Sequence, residues 1–487
     1  MICQLKALQD CFPSSLRRTL DQLPKSLDET YVRVLRQIPL ASQAHAHRML
    51  QCLMVAVRPL RVKELAELLA FEFDADQGGI PKYRAAWQLD DQTQAVLSTC
   101  SSLVTIIDTR YAGQIVQFSH FSVKEFLMSN RLGDFSRYHI HPLSAHTILT
   151  QACLGVLLHL DDHIDKKNVK SSPLTEYAAR HWVEHARIEG VASRVEDGME
   201  TLFDSGKPHF AAWVGIYDMD DVDSWRFSNS EKSPKPKPDP LYYSVLCGFF
   251  DLVKHLTIKY PERVNATYGR YRFPLLAALE ENHFEIVELL LECGANPNAR
   301  DTTGVTSLVK VLLRAQRDLF NDPEVRLPFK HVADVNTRNG ALSSSPHLVE
   351  YECELAVAQI LVKHKADVNS PDNDGRAPLH ILLECWATNE DNVLNLARLL
   401  LEHGADANRR DKYNHMPLPL AIGRDWFKLA RILLDHGADA NAKNNNGDTP
   451  LHMLSERHAQ APLDHGANVD AGKNGGETSL YPRSEGK

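Results

Sequence analysis

"EHGADANRR" occupies Glu402–Arg410 and "DHGADANAK" occupies Asp435–Lys443, one phrase written twice with its glycines, Gly404 and Gly437, 33 residues apart. Aligned on that glycine, further copies stand at Gly294 ("CGANPN"), Val332 ("HVADVN"), Lys365 ("HKADVN") and Gly466 ("HGANVD"), so the successive spacings are 38, 33, 39, 33 and 29. Upstream of each phrase comes a start of the Thr-Pro-Leu-His kind: "FPLLAA" at Phe273, "TSLV" at Thr306, "SPHL" at Ser345, "APLH" at Ala377, "MPLP" at Met416 and "TPLH" at Thr449. An earlier copy opens "DPLYYSVLCG" at Asp239, and a last one stops at "TSLYPRS". Each unit has its own physical logic. Thr449 caps a helix, and Pro450 suits its first position, where no N–H is needed. A second helix follows, as in "EIVELLLECG", "LARLLLEHG" and "LARILLDHG". Its leucines bury against the next unit, each contributing about 1.5–3 kcal/mol. The glycine ends that helix in a left-handed conformation, and an Asp/Asn/Gly-rich finger such as "NAKNNNGD" turns the chain. One unit alone leaves an apolar face bare, so the phrase has to recur.

Period, start and end phrase together resemble the ankyrin repeat, over residues 239–487 and about seven copies, the last ones degenerate. The resemblance implies protein partners held by the fingers and the groove of the array. The residues expected to anchor them are Arg409, Arg410, Lys412, Tyr413, Trp426 and Lys443, large or charged side chains at finger and helix-loop positions. Some copies depart from the pattern. Val332 and Lys365 replace the capping glycine and are expected to strain those helix ends. Pro419 replaces the histidine of the first helix, early enough to be tolerated. The copy ending at Gly466 has a shortened second helix with Pro462 in it, and residues from about 453 onward are expected to fray.

Residues 23–132 follow a different grammar. "SLDE" at Ser26 is a capping box ahead of Tyr31, Val34, Leu35 and Ile38. Leu50, Leu53, Met54 and Val57 mark a second helix, Pro59 breaks it, and "VKELAELLA" from Val62 forms a third. A helix through Ala95–Leu97 precedes two strands, "SLVTIID" and "QIVQFSH", around Tyr111-Ala112-Gly113. "SVKE" at Ser122 is read as a second capping box. Helices followed by a hairpin predict a winged helix. With 12 Lys/Arg against 11 Asp/Glu across these residues, and two Glu against one Lys on the third helix, it offers little to phosphates or base edges.

"LPKSLDETYVRVLRQIP", "VRPLRVKELAELLAFEFD", "AVLSTCSSLVTII" and "VQFSHFSVKEFLMS", joined to an ankyrin array in this order, resemble the segment that follows the nucleotide-binding domain in fungal NACHT–ankyrin proteins, which are signal-transduction ATPases with numerous domains (STAND). The resemblance implies a sensing or scaffolding role and a nucleotide-binding STAND domain as partner. It points to His120, in "FSHFSVKEFL", as the position that would reach bound nucleotide if such a domain were supplied, although the following residue is Phe121 where the family often has Asp. The Gly-Lys pairs, at Gly206, Gly472 and Gly486, lack the glycines and hydroxyl of a phosphate-cradling loop, and the sequence begins where such a domain would end. No bound cofactor is expected.

Residues 133–227 read as a helical linker domain and 228–238, within "SNSEKSPKPKPDP", as a stiff polar linker; residues 1–22 form a helical lead-in. One enzyme-like string stands in the middle: His181-Trp182-Val183-Glu184-His185 places two histidines on one helix face with a glutamate beside them, the inverted zinc-peptidase pattern. A downstream carboxylate ligand would fall inside the first repeat, a poor place for it, so the zinc hydrolase stays the alternative to a non-catalytic binding module. The net charge of −9 argues against non-specific nucleic-acid binding, no apolar run reaches the ~18 residues of a membrane helix, and nine scattered cysteines without a Cys-x-x-Cys read as reduced thiols in a cytoplasmic protein. The expected architecture is mainly α: a winged-helix-like N-terminal domain, a helical middle segment and a C-terminal ankyrin-repeat α-solenoid.

Overall fold

The structure, a computed structural model, describes residues 26–73, 79–84, 87, 91–110, 113–159, 172–220, 238–301, 304–317, 346–384, 390–454 and 458–472. It divides into two compact units, residues 1–252 and 253–487.

In the first unit α1 (Leu27–Gln37) opens on Ser26, whose Oγ accepts the Glu29 amide at 3.1 Å, as the capping-box spacing predicts. α2 (Gln43–Val55) and α3 (Val62–Glu67) follow on either side of Pro59. Glu64 on α3 is buried and accepts the Arg61 amide at 2.7 Å, while Arg58 grips its two oxygens at 2.9 and 2.7 Å. After α4 (Gln92–Cys100), strands β3 (Val104–Thr109) and β4 (Gly113–Phe118) pair antiparallel, Val104 opposite Phe118. A bridge from Arg61 to Ile115 ties the helices to this wing. A second ribbon, β1 (Phe71–Glu72) with β2 (Lys82–Tyr83), was not foreseen. The next helix, α5 (Phe121–Leu127), starts one residue before the expected Ser122 cap. The imidazole of His120 takes that role, Nδ1 accepting the Ser122 amide at 3.3 Å and meeting its hydroxyl at 2.6 Å.

Beyond a 3-10 stretch (Asn130–Tyr138), α6 (Pro142–Leu157) packs against both α2 and α7 (Thr175–Ala186), which explains why it reads apolar on every side. α8 (Glu196–Leu202) and α9 (His209–Ile216) complete the layer. Trp182 of α7 lies 5.4 Å from Trp213 of α9, ring to ring, in a buried aromatic cluster with Phe203 and Phe249. α10 (Pro240–Cys247) joins this cluster through Tyr243, and Arg187 donates to its last carbonyls, of Leu246 and Cys247, at 2.8 and 2.9 Å.

Helix α11 (Phe250–Lys259) leads into the second unit, where helices come in pairs: α12 (Pro274–Glu280) with α13 (Phe284–Glu292), α14 (Ser307–Arg317) with α15 (Pro346–Lys363), α16 (Pro378–Glu384) with α17 (Glu390–Glu402), and α18 (Pro417–Gly423) with α19 (Phe427–Asp435). α20 (Pro450–Met453) packs against α18 and α21 (Gln460–Asp464) against α19. The repeated phrase is the joint between pairs. Gly294, Gly404, Gly437 and Gly466 are all left-handed, at φ 86, 87, 84 and 82. The preceding histidines, His403, His436 and His465, each meet the carbonyl four residues back at 2.8 Å through Nδ1. The asparagine of each phrase then reaches into the next one. Asn408 donates its amide to the Gly437 carbonyl at 2.9 Å and accepts the Asp439 N–H at 2.7 Å; Asn369 does the same to Gly404 and Asp406, and Asn441 to Gly466 and Asn468.

Three departures come out as follows. Lys365 sits at φ 65, a left-handed residue with a side chain, as expected of a replaced glycine. Val332 lies outside the described residues, and the clamp series passes it by: Asn298 donates to the Lys365 carbonyl at 3.3 Å and accepts the Asp367 amide at 2.7 Å. So α14 and α15 serve as the two helices of one repeat, with residues 318–345 between them, and "SPHL" at Ser345 precedes an outer helix instead of opening a new repeat. Of the tail past 453, where fraying is expected, residues 473–487 lie outside the described residues, and α21 forms over Gln460–Asp464. Pro462 falls in its first turn, where the missing N–H costs nothing, and the Asn441 clamp holds the Gly466 turn.

Candidate functional site

The six sequence-picked anchors do not share one surface patch. Arg410, Lys412 and Tyr413 lie together in the finger between α17 and α18. Its frame is Asp411, a buried carboxylate that accepts the amides of Tyr413 and His415 at 2.9 and 2.7 Å and faces the His415 ring at 3.1 Å. That frame pushes Tyr413 outward, 59% exposed. Arg410 donates to the Asn414 side chain at 2.8 Å, and Lys412 donates to the Asn373 carbonyl of the preceding finger. Arg409, half-buried, adjoins them at the base of the finger. Lys443 belongs to the next finger and is spent on the fold: its Nζ reaches the Gly472 carbonyl at 3.0 Å, much as Arg300 reaches the Pro371 carbonyl at 2.6 Å. Trp426 is half-buried at the start of α19, and its amide bonds the Ala421 carbonyl at 3.0 Å and holds the turn between two helices.

Several cations of the array are paired with carboxylates. Arg270 meets Glu281 at 3.0 Å, Lys310 lies between Glu280 and Asp301, and Arg376 meets Asp372, Asp374 and Glu384 at 2.8, 3.5 and 2.8 Å. Among the described residues, Arg409, Arg410, Lys412 and Lys443 form no ion pair with a carboxylate; the bonds of the last three go to neutral oxygens. Beside this cationic finger opens a groove of about 290 Å³, lined by Met416, Pro419, Leu420, Met453, Asn445 and Asn446 among others. Pro419 was read as a tolerated departure, and it is buried within α18. The histidine it replaces has work in other repeats. His380 reaches the His415 carbonyl of the next finger at 3.2 Å, and His452 bonds the Thr449 hydroxyl at 2.7 Å. Proline has no ring nitrogen to send across, and it lines the groove instead. Sequence reasoning passed over this groove, although the broken Thr-Pro-Leu-His start was its signal.

The zinc-like string is wired as structure. Tyr177 accepts the Val57 N–H at 3.1 Å, and its hydroxyl meets Nε2 of His185 at 2.8 Å. Nδ1 of His185 faces Nδ1 of His146 at 3.0 Å. Both ring nitrogens of His185 are engaged, and His181 is turned to Glu184 at 3.0 Å. Burial, then the nearby imidazoles, push the His185 pKa down to about 3, and burial also lowers that of His146. Among the described residues no group of three or more His, Cys, Asp or Glu side chains is placed to hold a metal ion. His120 stands exposed at the end of β4, its ring 4.3 Å from that of Phe121 and tilted 35° to it, and Phe121 is 70% exposed. Cys52, Cys100 and Cys153 are buried free thiols in the first unit, and burial raises all three. No described helix is long and apolar enough to cross a membrane.

Segments of the chain are similar to known families. The family "GPI inositol-deacylase, winged helix domain" matches residues 36–138, "Ankyrin repeats (3 copies)" matches 385–473 and "Ankyrin repeat" matches 271–302. "Azaphilone pigments biosynthesis cluster protein L" of Monascus ruber is 30% identical over 293 residues, 57% of this chain and 61% of its own length. Inversin of Mus musculus is 31% identical over 151 residues, 31% of this chain and 13% of its own length. The chain therefore spans less than two thirds of the curated relatives it matches. Among solved structures, the ankyrin repeat domain of Bcl-3 covers 50% of this chain and 92% of its own at 21% identity, with a TM-score of 0.37. The protein carries ankyrin repeats and a winged-helix domain similar to that of GPI inositol-deacylases, and its fold is mainly helical.

Proposed function

We propose that this chain is a non-catalytic protein-binding module whose working surface is the finger bearing Arg409, Arg410, Lys412 and Tyr413, together with the groove beside it. The observation that carries this is a cluster of cations without carboxylate partners. Arg270 and Arg376 of earlier fingers are neutralised by carboxylates and Arg300 is bound by neutral oxygens within the fold, whereas here Arg410 and Lys412, left to neutral oxygens, stand beside an exposed tyrosine. Unpaired guanidinium, a projecting aromatic ring and an adjoining groove are the features that concentrate binding energy at interfaces. The preferred partner is a protein segment with carboxylates for the finger and an apolar side chain for the groove. Ankyrin repeats generally bind proteins, which fits. The test is proximity labelling in cells of the source organism with wild-type chain and the double variant Arg410→Glu/Tyr413→Ala. Loss of specific neighbours at unchanged thermal stability supports the surface, and an identical set of neighbours sinks it.

A finer reading places the chain as the sensing or scaffolding part of a STAND-type signalling protein that works with a nucleotide-binding domain. The order winged helix, helical segment, ankyrin array supports it, as does the exposed His120–Phe121 pair on the winged helix. Co-purification of a nucleotide-binding protein that is lost in His120→Ala would support this pairing. Its persistence in that variant would remove His120 from the contact.

A further inference from the structure

We propose that Ser172 is a phosphoryl-acceptor site, and that phosphate there detaches α3 of the winged helix from the start of α7. A buried carboxylate bridges the two elements. Glu67, the last residue of α3 and 4% exposed, accepts the Ser172 hydroxyl at 2.7 Å through one oxygen and the Leu174 amide at 2.6 Å through the other. α7 has no local side-chain cap, so this remote carboxylate stands in for one across more than a hundred residues of sequence. Among the described residues no cation pairs with Glu67. The neighbouring Arg58 is taken by Glu64, and Arg61 is shared between Glu64 and Glu176.

Ser172 is half-buried and directly precedes Pro173, which holds the residue before it in an extended backbone. A serine followed by proline at an accessible position is the acceptor that proline-directed kinases take. In the transfer the serine oxygen attacks the γ-phosphorus of ATP, the bond to the β–γ bridging oxygen breaks, ADP leaves, and the hydroxyl proton passes to the kinase's base. The joint then loses a donor and acquires about −1.5 to −2 of charge beside a carboxylate that no cation balances. Two acceptors now face each other across a hydrogen-bond distance, so the contact opens.

The experiment treats the full chain with ATP and a purified proline-directed Ser/Thr kinase, then reads phosphate by mass spectrometry and hydrogen exchange by peptide. Ser233-Pro234 and Ser345-Pro346 in the same chain serve as internal acceptors. Phosphate on Ser172 with about tenfold faster exchange in 62–70 and 174–186, absent from Ser172→Ala, is the expected result. Adding Glu67→Gln, whose carboxamide donates to phosphate, should slow that exchange again. Ser172→Glu tests the opening without the kinase and should move exchange in the same direction. Phosphate on Ser233 or Ser345 with none on Ser172 overturns the site, and so does a modified Ser172 whose neighbouring amides exchange no faster.

Discussion

Asn408 shows how much one residue carries in the array. It is exposed, yet its side chain makes two hydrogen bonds to the next repeat, one as donor and one as acceptor. Asn408→Ala should cost about 1–3 kcal/mol in chemical denaturation. Asn408→Asp keeps the acceptor for the Asp439 amide and loses the donor to Gly437, so it should fall between; equal stability of all three proteins would show that the clamp is ornamental. Lys365 offers the opposite sign. Its left-handed backbone costs about 1–2 kcal/mol relative to glycine, offset in part by glycine's looser unfolded state. Lys365→Gly should therefore raise stability by about 0.5–1 kcal/mol, and a drop in melting temperature would contradict that. The repetition of "HGADAN" was legible because periodicity is written in the sequence. What each letter bonds was not, since the partner of Asn408 lies 29 residues away. The same limit explains "HVADVN" at Val332: it matches the phrase, but a phrase match does not say which turn an asparagine will reach.

At the scale of elements, the winged helix was readable from caps and breaks, and the misplaced start of α5 has a simple cause. Ser122 fits the capping-box spelling, but His120 two residues earlier supplies a ring nitrogen to the same amide. The α6–α7 pair hid more. His181 and His185 share a face as helical spacing requires, but spacing says nothing of Tyr177 and His146, which engage both ring nitrogens of His185. That wiring makes the layer acid-sensitive. An unfolded histidine titrates near 6.5, and His185 in the fold titrates at about 3. Stability is whole above pH 6.5, falls as pH drops below it because only the unfolded chain takes up the proton, and stops falling below the folded pKa. Between pH 7 and pH 5 the first unit should lose about 2 kcal/mol from this group, and Tyr177→Phe, which frees Nε2, should shrink the loss. A denaturation midpoint that does not move over that range would contradict the neutral ring.

For the molecule as a whole, net charge is a poor guide to binding. The chain carries −9 overall, and yet one finger presents cations that its own carboxylates leave alone. Association through that finger should weaken as salt rises, by about tenfold between 50 and 500 mM for a partner that relies on two or three such charges; a salt-independent affinity would shift the weight to Tyr413 and the groove. The order of the modules and the mainly helical fold were legible because each obeys its own period. The groove at Pro419 was not, because a missing imidazole reads as a tolerated error until its neighbours are in place. One last consequence follows from the joints between repeats. A clamp asks only for a left-handed carbonyl and the amide two residues beyond it, so it measures the turn and takes no account of the chain spent on reaching it. Asn298 closes on Lys365 across residues 318–345 as if they were not there. An insertion between α14 and α15 should therefore leave the Asn298 clamp closed on Lys365 and Asp367, with the denaturation midpoint of the array unchanged.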